Sequence, residues 1–344
     1  MSTTTHIEWT DKTWNPVVGC TRVSKGCDHC YAVRMSHRLR RHEGYAGLTV
    51  LNDKGDRHFN GVVRCLPERL SDPLHWRKPC RVFVNSMSDL FHEKVDFEFI
   101  HRVFGIAAIC PQHDFQILTK RPQIASRYCD WVRENHWSGG CVFFPRELPL
   151  NGTDAQIDAS RRGQPWPLPN VWLGTSCEDQ ATADERIPHL LRCPAAVRFL
   201  SVEPLLGPVD LRSAFAGHCE EHDFPGGLCV QRHHAGVNHL GWIIAGGESG
   251  PGARPMHPDW VRSIRDQCQA AAVPFFFKQW GEYKPWIGST LDSLKLDDKR
   301  RQAAVRLDGS RSELCESGVA LMSRVGKKAA GAEFDGREWR EYPA

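Results

Sequence analysis

Three cysteines lie within eleven residues near the start of this 344-residue chain, in Trp14-Asn-Pro-Val-Val-Gly-Cys20-Thr-Arg-Val-Ser-Lys-Gly-Cys27-Asp-His-Cys30-Tyr31. The spacing is C-x6-C-x2-C. Thiolates are soft ligands suited to zinc or iron–sulfur clusters. Four protein ligands close a structural zinc site, whereas three leave one metal position open. Three thiolates on a [4Fe-4S] cluster leave the fourth iron free for a small molecule such as S-adenosylmethionine (SAM). Two other readings stay open: zinc completed by His29 or a distant residue, and cysteines that simply pack as small hydrophobes. The Thr, Ser, Lys, Gly, Asp and His around them make a poor core segment, which favours a metal.

A second Cys/His group, Cys219, His222, Cys229 and His233, is spaced C-x2-H-x6-C-x3-H, close to a small zinc knuckle. It sits in a stretch at 213–240 with few apolar residues, which a metal would stabilise; the alternative is a flexible loop. The isolated Cys65, Cys80, Cys110, Cys129, Cys193, Cys268 and Cys315 read as packing residues.

The composition is that of a globular protein, with 41% hydrophobic and 25% charged residues. A net charge of +3 is too small to argue for nucleic acid by itself, so any basic surface must be local. The start, Met1-Ser-Thr-Thr-Thr-His-Ile-Glu, has neither a charged opening nor an apolar run, and no segment is long and apolar enough to span a membrane. The expectation is a cytoplasmic protein with no membrane contact, where clustered cysteines mean metal or catalysis.

These residues need elements to position them. Trp14–Cys20 reads as a strand leading into the cysteine loop, and Tyr31–Arg41 as a helix with a basic outer face. Residues 43–80 look irregular. Short apolar runs ending in polar residues then recur, at Val82–Asp89, Phe115–Arg121, Val171–Asp179, Val197–Pro204, Trp242–Ser249 and Phe275–Gly281. Such runs alternating with helices indicate a parallel sheet covered on its faces. The fold class expected is α/β: a complete or partial (β/α) barrel of radical-SAM type with six to seven parallel strands, a small Cys/His-rich insert and a C-terminal extension. A doubly wound sheet is the competing layout. The barrel is favoured because polar residues follow nearly every strand, where barrel enzymes keep their sites. In domain terms, 1–282 is the barrel, with inserts at 138–169 and 213–240, and 283–344 is an extension.

SAM chemistry needs ligands for the methionyl group, partners for the ribose and a flat surface for adenine. His29 and Tyr31 are candidates for the planar contact. Ser86, Ser88 and Asp89 are candidates for the methionyl end, and Ser176 stands at a further strand end. Glu178, Glu203 and Glu248, each just past a strand, are candidates for hydroxyl or amine groups. Gly246 and Gly247 would let backbone approach a ligand. Lys120, Arg121 and Arg254 are the cations aimed at an anion. Lys278 follows three phenylalanines, where a charge needs solvent, a partner or a ligand. Lys278, Glu203 and Glu248 are the catalytic candidates.

Several motifs together carry a resemblance: Ile7-Glu-Trp-Thr-Asp-Lys-Thr-Trp-Asn-Pro-Val-Val-Gly-Cys20 with Cys27-Asp-His-Cys30-Tyr-Ala, Leu118-Thr-Lys-Arg-Pro122, Ser201-Val-Glu-Pro-Leu-Leu206, Gly246-Gly-Glu-Ser-Gly-Pro-Gly-Ala-Arg-Pro255, Lys278-Gln-Trp-Gly281 and the late Gly326-Lys-Lys-Ala-Ala-Gly331. Over nearly its whole length the chain resembles the phage-associated three-Cys-motif proteins, a family of unknown function similar to radical-SAM enzymes, including the DNA photoproduct lyase branch. That resemblance implies a SAM-bound [4Fe-4S] cluster on Cys20, Cys27 and Cys30, an electron donor such as flavodoxin or ferredoxin, and a DNA, RNA or nucleotide substrate. The six-residue first gap departs from the usual radical-SAM loop, C-x3-C-x2-C. The second hypothesis is a non-enzymatic, zinc-stabilised nucleic-acid-binding protein. A zinc hydrolase or deaminase lacks its H-x-E…C-x-x-C arrangement here.

Overall fold

The computed structural model describes residues 5, 7–53, 55–145, 162–216, 239–286, 302–312 and 318–343. Seven strands form one parallel sheet: β1 (Lys12–Trp14), β2 (Arg81–Val84), β3 (Asp114–Thr119), β4 (Val171–Ser176), β5 (Val197–Val202), β6 (Trp242–Gly246) and β7 (Phe275–Gln279). They lie side by side in chain order. That order decides between the two layouts. A doubly wound sheet reverses direction at a switch point, whereas here each strand adds beside the last, as in a partial (β/α) barrel. Burial on both faces explains why β4 and β6 read as continuous apolar runs.

By compactness the chain divides into two units, residues 1–175 with 186–198, and 176–185 with 199–344. In the first, the strand expected over Trp14–Cys20 is broken. Pro16 lacks an N–H, and beyond it Val17–Val18 pairs antiparallel with Arg64–Cys65 while Gly19 bridges Ser88. Helix α1 (Tyr31–Arg38) ends three residues before the expected Arg41. Its buried Ala32 packs with Val18, Tyr45, Leu48, Leu66 and Met87, a small core behind the cysteine loop drawn from the 43–80 stretch.

Helix α2 (Phe97–Ala108) starts at Asp96, whose carboxylate accepts the Phe99 N–H at 2.7 Å, and it buries Ile100, Val103, Phe104 and Ala107 along one face. Helix α3 (Pro122–Asn135) opens on Pro122, whose fixed φ suits a first helical position. The same proline keeps Arg121 out of the helical region, at φ −127° and ψ 55°. The 138–169 excursion is described only at its ends, where Trp137–Ser138 pairs with Cys141–Val142.

In the second unit, α6 (Pro258–Ala270) joins β6 to β7 and buries Trp260, Val261, Ile264 and Cys268; α4 (Gln180–Leu191) precedes β5 in the chain, and the short α5 (Arg212–Ala216) follows it. The zinc-knuckle candidates Cys219, His222, Cys229 and His233 lie outside the described residues. The extension builds an antiparallel sheet from β8 (Tyr283–Pro285), β9 (Gln302–Arg306), β10 (Arg311–Ser312) and β11 (Val319–Arg324), in the order β8-β11-β9-β10. Residues 339–341 then run along β7: Phe277 N–H donates to Trp339 O at 2.9 Å, and Glu341 N–H to Phe275 O at 3.2 Å. The tail therefore covers the edge of β7, which would otherwise present unpaired backbone groups.

Candidate metal and ligand site

Each unit carries a polar cluster at the C-terminal ends of its strands. In the first, the cysteine loop starts from a forced glycine. Gly19 has φ +84°, and a Cβ there would stand 2.1 Å from Val62 O, so no other residue fits without moving one of the two segments. Cys27 ends a single 3-10 turn (Lys25–Cys27), and Cys30 caps α1. All three thiols are free and half-buried.

Burial pushes the Cys20 thiol up to about 12; the Asp89 carboxylate adds to this, Arg121 opposes it, and the neighbouring Cys30 and Cys27 add again. Burial also raises Cys30, against the pull of the Ala32 and Val33 amides at the opening of α1. The three groups are thus near enough to feel one another. Among the described residues, no three His, Cys, Asp or Glu side chains are drawn into a cage that could hold a metal ion. The donor chemistry fits a thiolate-bound metal. A metal bound here would have to close the cage itself, with its binding coupled to loop ordering and proton release.

The serines expected to hold a methionyl group brace the base of this loop. Ser88 Oγ donates to Val17 O at 2.7 Å, and Ser86 Oγ to Asn15 Oδ1 at 3.1 Å. Asn15 Oδ1 also accepts the Met87 N–H at 3.1 Å, and Ser86 O accepts the Tyr31 hydroxyl at 2.6 Å. The Tyr31 side chain stays 47% exposed, and His29 is half-buried within the loop.

Asp89 is a buried organiser. Its carboxylate accepts from Thr119 Oγ1 at 2.7 Å, Phe91 N at 3.0 Å, Lys120 N at 3.0 Å and Arg121 Nη1 at 3.1 Å. The bond to its amide places Lys120 at this cluster. The sequence offers few cues for the rest of it. His92 Nδ1 accepts the Lys94 N–H at 3.2 Å, so Nε2 carries the proton and donates to Thr21 Oγ1 at 2.9 Å. Burial, then the Arg121 charge, hold His92 below its usual range, in keeping with a neutral ring. Thr21, His92, Glu93 and Asn15 were not recoverable from spacing, because each acts through a contact 28 to 100 positions away.

In the second unit the inner face of β5–β7 has an aromatic floor, where Trp242 meets Phe199 at 5.7 Å and Phe276 at 6.1 Å between ring centroids. Above it, Lys278 Nζ lies 3.1 Å from Glu203 Oε1, and Ser201 Oγ 3.4 Å from Oε2. Gly246 and Gly247, expected to admit a ligand, lie close against neighbouring protein atoms. A Cβ on Gly246 would stand 2.6 Å from Glu203 Oε1, and one on Gly247 would stand 2.0 Å from Trp280 O. Glu248 and Arg254 hold each other through two side-chain bonds, 2.7 Å from Nη2 to Oε1 and 2.9 Å from Nε to Oε2, and the Arg254 N–H also donates to Oε2 at 2.8 Å. Both side-chain bonds are charge-assisted and close the loop between them. Ser176 and Glu178 are buried at the end of β4, the Glu178 amide donating to Thr182 Oγ1 at 2.9 Å.

With the geometry in place, comparison with known proteins adds one finding. A family model described as "Protein of unknown function (DUF5131)" matches residues 4–343. The chain belongs to that family. No curated protein and no solved structure matches it. For this DUF5131 chain the site must therefore be read from its own side chains. No helix among the described residues is long and apolar enough to cross a membrane.

Proposed function

We propose that this chain is a radical-SAM-type iron–sulfur enzyme, with Cys20, Cys27 and Cys30 as the ligands of a [4Fe-4S] cluster. The observation that carries the reading is three free, half-buried thiols on one loop, at the C-terminal end of the opening strands of a partial (β/α) barrel. When bound, such a cluster supplies the electron that splits SAM into methionine and a 5′-deoxyadenosyl radical, which takes a hydrogen from the substrate. The resemblance to the three-Cys-motif proteins supports the same reading.

The protein's own part is to hold and orient. Asn15, Ser86 and Ser88 fix the base of the loop, and the exposed ring of Tyr31 offers a flat surface beside Cys30. For the substrate we favour a nucleic acid or nucleotide. Residues 20–64 hold nine Lys and Arg against four Asp and Glu. Arg34, Arg38, Arg40 and Arg41 are exposed on and just beyond α1, the helix that carries Tyr31. Cations interleaved with an aromatic ring suit phosphates and stacked bases. A flavodoxin- or ferredoxin-type protein would deliver the electron.

The test is anaerobic reconstitution with iron and sulfide, followed by EPR of the reduced protein with and without SAM. About four irons per chain, a signal that changes on adding SAM, and loss of that signal in Cys27→Ala would support the proposal. A colourless protein that keeps zinc through reconstitution would overturn it, in favour of a zinc-stabilised nucleic-acid-binding scaffold.

A further inference from the structure

The Arg121 guanidinium is 1% exposed, yet every face of it is occupied. Nε lies 3.2 Å from both oxygens of Glu93. Nη1 donates to Asp89 Oδ2 at 3.1 Å and points at Cys20 Sγ at 3.8 Å. Nη2 donates to Thr21 O at 3.2 Å and to Thr21 Oγ1 at 2.6 Å. Burying a guanidinium is costly unless its donors are matched, and here all five have acceptors. A purely structural ion pair with Asp89 would leave two of these donors for elsewhere in the fold. Both are instead turned on Thr21, the residue next to Cys20.

We propose that Arg121 is the positioning residue for Cys20, pinning the Gly19–Thr21 arm so that this thiol is presented to a metal independently of Cys27 and Cys30. The proposal rests on the metal-binding half of the reading above and not on SAM. The two halves of the donor set are held by different elements. Cys27 and Cys30 belong to a 3-10 turn and the start of α1, braced by the Tyr31 hydroxyl on Ser86 O. Cys20 belongs to the arm, gripped by Arg121 on one side and by His92 Nε2 on the other. The six residues between Cys20 and Cys27 join these separately anchored halves, which accounts for the long first gap. A guanidinium does not ligate metal, so its charge offsets the thiolates without competing for the ion. Pro122 keeps Arg121 extended just ahead of α3 and so leaves its side chain for the arm.

The experiment uses the full-length chain and Co(II) alone, under anaerobic conditions. Affinity is read from thiolate-to-cobalt charge-transfer absorption. The coordinating cysteines are read by mass spectrometry after alkylation of the loaded protein. Thr21→Val removes the hydroxyl shared by Arg121 and His92 and leaves the Arg121–Asp89 pair intact. Arg121→Lys keeps the charge and removes the fork. The expected result is a loss of about 10- to 100-fold in affinity for both, with Cys20 becoming alkylated while Cys27 and Cys30 stay protected. If Arg121→Lys does not fold, Thr21→Val decides alone.

Co(II) affinity within about twofold of wild type, with Cys20 still protected, would overturn the proposal. So would simultaneous loss of protection at all three cysteines, which would make Arg121 a support of the fold at large. Wild-type protein that binds no cobalt through these thiols would overturn it together with the metal reading. Arg121- and Thr21-dependent cobalt binding without any SAM-responsive EPR signal would leave it standing and sink the SAM reading alone.

Discussion

Lys278→Met should destabilise the second unit, and adding Glu203→Gln should restore part of the loss. Lys278 Nζ and Glu203 Oε1 are 3.1 Å apart on side chains that keep only 19% and 14% of their exposure. At that distance the attraction is about 5 kcal/mol at an effective dielectric of ~20, and desolvation of the two groups cancels most of it. Removing the ammonium leaves the desolvated carboxylate with only Ser201 Oγ at 3.4 Å. For a fully buried pair such a loss costs about 3–5 kcal/mol, and the residual exposure here brings it to about 2–3 kcal/mol. Glutamine has the shape of glutamate and still passes the position where a Gly246 Cβ would stand, so the double variant carries no stranded charge. The assay is a double-mutant cycle by equilibrium urea unfolding of the full chain at neutral pH, followed by circular dichroism. The double variant should be more stable than Lys278→Met alone. Single effects that add to within about 0.5 kcal/mol would refute the reasoning and make the pair incidental.

Two further outcomes follow from other positions. Gly19→Ala forces a Cβ to within 2.1 Å of Val62 O at φ +84°; it should cost more than the ~1–2 kcal/mol of a left-handed non-glycine residue and abolish metal retention. Gly47→Ala, at φ +68° with nothing within 4 Å, should show only the backbone cost and, on the metal reading proposed above, retain metal as wild type does, as thermal melts and metal analysis of both variants would report. Burial holds the His101 imidazole down at about 4, below its unfolded value, so its contribution is complete above about pH 6.5 and drains as the pH falls toward 4, by about 3 kcal/mol in all. Unfolding midpoints measured across that window should fall less steeply in His101→Gln than in wild type.

The architecture was legible because it rests on patterns that survive without neighbours. Runs such as Val171–Ser176 and Trp242–Gly246 announce strands buried on both faces, and their recurrence announces a parallel sheet. Pro16 was a visible reason to break the first strand, but the pairing of Val17–Val18 with Arg64–Cys65 depends on a chain segment nearly fifty residues on. The tail's cover of β7 is likewise a long-range backbone pairing, and no local pattern encodes it.

The site was legible in its residue types and not in their partners. Spacing picked out the three cysteines, and position just past apolar strands picked out the carboxylates and Arg254, because clustered thiols and charges beside apolar strands need a reason to be there. It could not show that Ser86 and Ser88 face their own chain. Nor could it show that Gly246 and Gly247 clear room for Glu203 and Trp280. Both have one cause: a polar or small residue at a strand end satisfies a ligand and a neighbouring loop by the same chemistry. The long first cysteine gap is the reverse case, a sequence anomaly that becomes intelligible once Arg121 is seen gripping Thr21 from a hundred residues away. A ligand set held by one loop must keep its spacing tight, whereas one held by two anchors can let the spacing grow. The departure from the usual spacing is thus an argument about support, and Arg121 is where it can be tested.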